Sequence, residues 1–496
     1  MSVVKQQSLQ SSTIQIMGAM IGALSTIFIY PLDFELYGLY GFLTNTASLL
    51  VPFVSLGFGS ALLRYFPYFK NKERRHFGFF GFVFCGYAAG IVLFASVFLY
   101  FYPAWSRFLT QGDQHMMEYI PYVLPLTVLY VVFDLFTSMS VNFQRITLPA
   151  LLIFIMKLLL PLIFILTFRE YLNRNQFIQL IGVYYILVIL MLAYYLKSRE
   201  SLHYGFRNEV ILHPLRGQIL RFAMFSIIGG ASAILALRID SILITSILGP
   251  AANGQFTLAI FMSNVAYIPA AALTDSLNAV VSAWSKLQNK PELQTVYAKS
   301  SRNMLIPTLW VSLCIFCSFQ SLSRIMPNSE TVAGIEWVLG FLLLARIIDA
   351  ATGVNHHILS YSRHYALEMY LLLLMAGLNL LFNYFWIPAY GIAGAAAATL
   401  LSVCLYNILK TIMVYAIMKI HPFSKNLMWI LICGLLTGLV FYWLPVRMHP
   451  LLNILVISSG VSLCFLGTIL ACDWSPELKQ MIERMLRQLI YKIKAS

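Results

Sequence analysis

Apolar residues run along this chain in long blocks, separated by short polar segments that carry most of its Lys and Arg. Two blocks, Phe77–Ser106 and Met369–Leu409, contain no Asp, Glu, Lys or Arg at all. A membrane helix needs about twenty apolar residues in a row, whereas a membrane β-strand would alternate over about ten. Here the blocks are long and do not alternate, so helices that satisfy their own backbone in lipid are expected. The pattern predicts fourteen spans: 9–30, 39–63, 78–102, 119–141, 147–168, 176–196, 222–247, 255–281, 303–322, 335–358, 367–386, 392–418, 427–445 and 451–471. The expected fold is all-α and polytopic, with two six-helix lobes and two further C-terminal helices.

The lobes are inferred from an internal repeat. Val123–Thr137 (VLPLTVLYVVFDLFT) overlays Val338–Thr352 (VLGFLLLARIIDAAT) at an offset of 215, matching Asp134 with Asp349 and Thr137 with Thr352. Gly38 and Gly254 are 216 apart, and Pro52 and Pro269 are 217 apart. Six spans separate equivalents, so the halves share one orientation, as in two-lobed transporters. The expected organisation is an N-lobe over 1–197, a linker over 198–221, a C-lobe over 222–418, spans thirteen and fourteen over 427–471, and a tail over 472–496.

Composition removes the soluble alternatives. Of 496 residues, 60% are hydrophobic and 10% charged, against roughly a quarter charged in soluble domains. The net charge of +14 would suit a nucleic-acid binder, but its placement argues otherwise. Of the 33 Lys and Arg, 24 fall in segments on the N-terminal side of the spans, and five (Arg107, Arg169, Arg174, Arg324 and Arg447) in the opposite loops. That asymmetry is a topology signal and puts both termini in the cytoplasm. No nucleic-acid partner is expected. The first apolar run leads straight into a second span, so no cleavable signal peptide is read. Cys314 and Cys317 sit inside an apolar span and read as packing, since metal and redox chemistry needs a polar, accessible setting. After Cys472, Ser475-Pro476-Glu477 has the form of a helix start. The basic, amphipathic run behind it suits the membrane surface, with a partner-binding helix as the alternative.

Charges inside spans are costly and mark substrate or ion paths by default. Arg346 and Asp349 are three apart and can share a helix face. They read either as a neutralising pair or as a cationic site with a tuning acid. Arg238 and Asp240, two apart, point in different directions, so each meets another helix or a wet cavity. Lys157 has no acid nearby in sequence and should face the interior. Arg64, at the inner end of span two, either snorkels to the head groups or contacts phosphate. Lys410, nearer a membrane edge, reads as a snorkeller. Asp134 and Asp275 are candidate proton or sodium sites, or polar packing. His356-His357 lacks the further ligands a metal site requires.

Three stretches carry a family resemblance: Leu56-Gly57-Phe58-Gly59-Ser60-Ala61-Leu62-Leu63-Arg64-Tyr65-Phe66-Pro67, Gly249-Pro250 through Gly254-Gln255-Phe256, and Ile387-Pro388-Ala389-Tyr390-Gly391-Ile392-Ala393-Gly394-Ala395-Ala396. With these the chain resembles the polysaccharide transporter (oligosaccharide flippase) family of the multidrug/oligosaccharidyl-lipid/polysaccharide exporter superfamily. The resemblance implies alternating access through a central cationic cavity. The implied cargo is an undecaprenyl-diphosphate-linked oligosaccharide, moved from the cytoplasmic to the periplasmic leaflet for O-antigen, capsule or exopolysaccharide assembly. Arg64, Lys157, Arg238 and Arg346 become the candidate diphosphate-binding residues, and Asp134, Asp240, Asp275 and Asp349 the candidate ion-coupling residues. No catalysis and no cofactor are expected, with H+ or Na+ as the driving ion. The expected partners are the lipid-linked glycan, membrane lipids and polysaccharide assembly proteins, in a bacterial cytoplasmic membrane. The competing readings are a cation-coupled drug exporter, whose cavity should be acidic, and a membrane-embedded polymerase or glycosyltransferase, which needs a larger loop or soluble domain.

Overall fold

The start of the second span shows how local chemistry sets the architecture. Asp33 caps helix α2 by accepting a 2.9 Å hydrogen bond from the Leu36 amide, and Arg174 holds neighbouring Glu35 by two bonds of 2.5 and 2.8 Å. The far end of α2 breaks where the motif glycine lies: Leu56 has φ 48° and Gly57 φ 69°, and the chain bends by 50° into α3. A Cβ on Gly57 would lie 2.0 Å from the Ala223 carbonyl oxygen, so both its left-handed backbone and its close approach require glycine.

The computed structural model describes residues 3–71, 75–145, 147–199, 213–287, 290–444 and 448–480. The chain divides into two compact units, Met1–Gly254 and Gln255–Ser496. The first holds α1 (Val3–Phe28), α2 (Phe34–Val54), α3 (Phe58–Phe69), α4 (Phe79–Tyr100), α5 (Tyr102–Thr110), α6 (Gln114–Met117), α7 (Val123–Asn142), α8 (Thr147–Phe168), α9 (Arg174–Arg199) and α10 (Arg216–Leu248). Helix α11 (Pro250–Leu287) contributes its first turn. Two aromatic-rich cores organise this unit. One gathers Phe58, Phe66, Phe69, Phe79 and Phe80, the other Leu36, Phe42, Phe164 and Phe177. Helix α10 corresponds to span seven, which the repeat assigns to the second lobe; it packs on α2 and α3.

The second unit holds the rest of α11, α12 (Lys290–Cys317), α13 (Phe319–Ile325), α14 (Ser329–Ala333), α15 (Glu336–Ala351), α16 (Asn355–Ser360), α17 (Tyr365–Met418), α18 (Lys425–Tyr442) and α19 (Pro450–Ala471). Helix α17 contains both spans eleven and twelve, parted at Gly391, whose φ of 61° and ψ of −144° only glycine adopts without strain. Helices α18 and α19 pack on each other and on α12.

Among the described residues, nine helices are long and apolar enough to cross a membrane, or twelve when each bent pair counts as one crossing. The protein is an all-α, multi-pass membrane protein. The tail helix starts as its sequence suggests: the Leu478 amide donates to Ser475 Oγ at 3.4 Å, and Glu477 pairs with Arg302 at 2.6 Å. The rest of the amphipathic tail, from 481 on, and linker residues 200–212 lie outside the described residues.

Candidate functional site

Within the first unit, Arg238 leads a relay of amides. Its Nη1 donates to Asn45 Oδ1 at 2.9 Å, and Asn45 Nδ2 donates to Ser241 Oγ at 2.8 Å. Ser241 then donates to Asn253 Oδ1 at 2.7 Å, and Asn253 Nδ2 to the Gly38 carbonyl at 2.8 Å. The chain of bonds fixes which way each amide points, and so presents Asn45 Oδ1 to the guanidinium. Tyr40 and Tyr130 lie near enough to feel the Arg238 charge, and Tyr130 packs on Tyr185 with ring centroids 4.8 Å apart. The divergence expected of Arg238 and Asp240 is present: Arg238 is exposed, whereas Asp240 is buried.

Lys157 lines a separate cavity of about 550 Å³ together with Gln15, Gly18, Thr137, Pro149 and Phe154. Arg64 and Arg238 stand outside its lining. Gly18 leaves room for the lysine, since a Cβ there would lie 3.2 Å from Lys157 Cδ. Arg64 is exposed, with its guanidinium 4.4 Å from the Phe222 ring centroid. Asp134 accepts a 2.8 Å hydrogen bond from Tyr87. A Cβ on Gly59 would come within 2.8 Å of both partners, so this second motif glycine clears space for the pair.

In the second unit Arg346 repeats the device seen at Arg238. Its Nη2 donates to Asn264 Oδ1 at 2.5 Å, and its guanidinium lies 5.5 Å from the Tyr267 ring centroid. Asp349 does not close on Arg346. It accepts from Asn407 Nδ2 at 3.2 Å, and Asn407 Oδ1 in turn accepts from Thr352 at 2.8 Å. Among the described residues neither Arg238 nor Arg346 has a carboxylate within ion-pair distance. An amide oxygen aims a guanidinium without cancelling its charge, so each arginine keeps donors for an incoming anion.

Lys410 corrects the snorkelling expectation. It is only 3% exposed, and its ammonium lies 4.0 Å from the Tyr406 ring centroid. Nearby, Glu368 Oε1 takes a 2.6 Å hydrogen bond from Tyr406 and pairs with His356 Nδ1 at 2.7 Å. Uniformly apolar helices give no sequence sign of which face meets lipid and which meets protein, because both surroundings are apolar. Asp275 lies on α11, with its side chain outside the described residues.

Asn45, Asn264, Asn407, Tyr267 and Glu368 are the site residues that sequence reasoning passed over. The available signal was an amide or acid set inside an apolar span, where every polar group needs a partner.

No family model matches the chain, and no curated protein matches it by sequence. Among solved structures it is similar to the lipid II flippase MurJ in an inward closed conformation, at TM-score 0.70 and 15% identity, over 94% of this chain and 98% of that one. It is also similar to an inward-facing multidrug resistance MATE family transporter of the MOP superfamily, at TM-score 0.65 and 13% identity, over 82% of this chain and 94% of that one. A third similar structure is a MOP superfamily transporter from Pyrococcus furiosus with a binding pocket of reverse polarity, at TM-score 0.56 and 13% identity, over 84% and 96% of the two chains. Identities this low establish a shared fold: the chain is built like these proteins over 82 to 94% of its length.

Proposed function

We infer that this protein is a flippase for a lipid-diphosphate-linked oligosaccharide, working by alternating access in a bacterial cytoplasmic membrane with both termini in the cytoplasm. The observation that carries the reading is the twofold use of one device: Arg238 on Asn45 and Arg346 on Asn264, each aimed by a neutral amide. A diphosphate presents several anionic oxygens, and guanidinium groups bind such oxygens by paired, charge-assisted hydrogen bonds. Lys157 and its 550 Å³ cavity supply another cation, and Arg64 one more at the end of span two. Tyr40, Tyr130 and Tyr185 offer aromatic faces and hydroxyls suited to sugar rings. The flippase and exporters that share the fold support transport without bond-making chemistry, and the sequence motifs support a glycan as cargo. Asp134, Asp240, Asp275 and Asp349 are the proposed carriers of a driving H+ or Na+.

The test is leaflet transfer. The full chain, reconstituted in vesicles, should move a polyprenyl-diphosphate oligosaccharide between leaflets. Arg238→Ala and Arg346→Ala should each slow transfer at least tenfold while leaving membrane insertion intact. Full rates in both variants would remove the cationic site from the mechanism.

A further inference from the structure

A groove of about 450 Å³ runs between α12, α15 and α18 in the second unit. Its walls are almost wholly apolar, including Leu313, Phe341, Leu344 and Leu435. Along α18 it extends from Leu431 to Tyr442, about 16 Å by helix rise. Gly434 and Gly438 let α18 settle onto α12, since their Cβ atoms would lie 2.5 and 3.0 Å from Leu309 and Leu313. At one end, the stacked rings of Phe316 and Tyr442 (5.6 Å, 14°) line both this groove and a second pocket of about 130 Å³.

The second pocket is polar and carries two opposite charges, Arg324 and Glu336, beside Gln320, Ser321 and Asn453. Among the described residues the two charges form no ion pair with each other. The buried Oε1 of Glu336 accepts no hydrogen bond. The pocket lies where spans nine and thirteen end and spans ten and fourteen begin, which is head-group depth. Exposed Trp337 and Trp443 sit at the same ends, as expected of an interfacial aromatic belt.

We propose that this apolar groove and the polar pocket beyond Phe316 and Tyr442 form a binding site for one phospholipid with a zwitterionic, primary-amine head group. An acyl chain fills the groove, the phosphate meets Arg324, and the ammonium meets the Glu336 carboxylate. Charge complementarity selects this class. An anionic head would set its phosphate against the Glu336 carboxylate, and a quaternary ammonium has no N–H to give that carboxylate. None of the candidate transport residues lines either pocket, so the proposal stands apart from the identity of the cargo.

The test is native mass spectrometry of the full-length, delipidated protein titrated with phosphatidylethanolamine, phosphatidylcholine or phosphatidylglycerol of identical acyl chains. Phosphatidylethanolamine should bind about tenfold more tightly than either of the others, as one charge-assisted bond to a buried acid warrants. E336Q should abolish that preference while retaining binding, and R324Q should weaken all three lipids. Leu435→Trp, which fills the groove from its exposed mouth, should reduce the total number of retained lipids. As a check without mutation, lysophospholipids with shortened chains should bind progressively less. Equal binding of all three head groups, unchanged by E336Q, would overturn the proposal, as would binding indifferent to chain length.

Discussion

Gly38 and Gly254 meet across a reciprocal contact. A Cβ on Gly38 would lie 1.7 Å from the Pro250 carbonyl oxygen, and a Cβ on Gly254 would lie 2.1 Å from the Phe34 carbonyl oxygen. Phe34 and Pro250 are 216 residues apart, as are the two glycines. Two equivalent helix starts thus cross backbone to backbone, with Gly38 under the Pro250 carbonyl and Gly254 under the Phe34 carbonyl. Small residues permit this close approach of membrane helices.

Alanine at either glycine should therefore be severe. Gly38→Ala or Gly254→Ala forces the helix starts apart and should cost about 3 kcal/mol or more, as overpacking against backbone does. Thermal unfolding of the purified protein measures this. The double variant should lose less than the sum of the two, because the first substitution already opens the shared contact.

Asn45 separates a steering role from a charge role. Asn45→Ala leaves Arg238 charged but unaimed, and transfer of the lipid-linked glycan should fall about tenfold, the worth of roughly 1.4 kcal/mol. Asn45→Asp keeps the aim but pairs the guanidinium with a carboxylate. It should fall further still, because substrate phosphate must then displace an internal anion. An Asp variant as active as wild type would show that the free charge of Arg238 is not used.

Glu368 is the acid that Tyr406 and His356 contact directly and whose charge acts on buried Lys410. Glu368→Gln should destabilise the protein by about 3 kcal/mol, the scale of leaving a buried charge uncompensated. Adding Lys410→Met should recover part of that loss in a denaturation series. Simple additivity of the two losses would mean that the lysine does not depend on the acid.

The start of the tail should be pH-sensitive. Burial alone would raise the Glu477 carboxyl, but a hydrogen bond from its own backbone amide and the Arg302 and Lys299 charges outweigh it and hold it below the usual glutamate range. A depressed folded value gives stability that is present above the unfolded value and lost as pH falls through the folded one. Trp474 stacks on Trp429 at 6.3 Å, so its fluorescence reports whether this segment is docked. Acidification below about pH 4.3, the ordinary glutamate value, should change that emission in wild type. In Glu477→Gln the emission should be the same at every pH in the window.

How much of this could be read from the chain differs residue by residue. The membrane helices were legible because lipid rewards long apolar runs wherever they occur, without reference to tertiary contacts. Gly38, Gly57, Gly254 and Gly391 were legible as landmarks, because a backbone that must bend or touch another backbone accepts little else. The charges Arg238, Arg346 and Asp134 were legible as exceptions within apolar spans. Their partners were not.

Sequence by itself determined that this protein is a polytopic helical membrane protein and which spans carry charge. Tertiary structure alone decided that Arg346 turns to Asn264 rather than to Asp349 three residues away, that Lys410 points inward, and that α10 packs on α2 and α3. The physical reason is range. Partition into lipid is a property of about twenty consecutive residues, whereas Arg238 finds its amide 193 positions away and Arg346 finds its own 82 away. Only the packed helices bring such residues within hydrogen-bond reach.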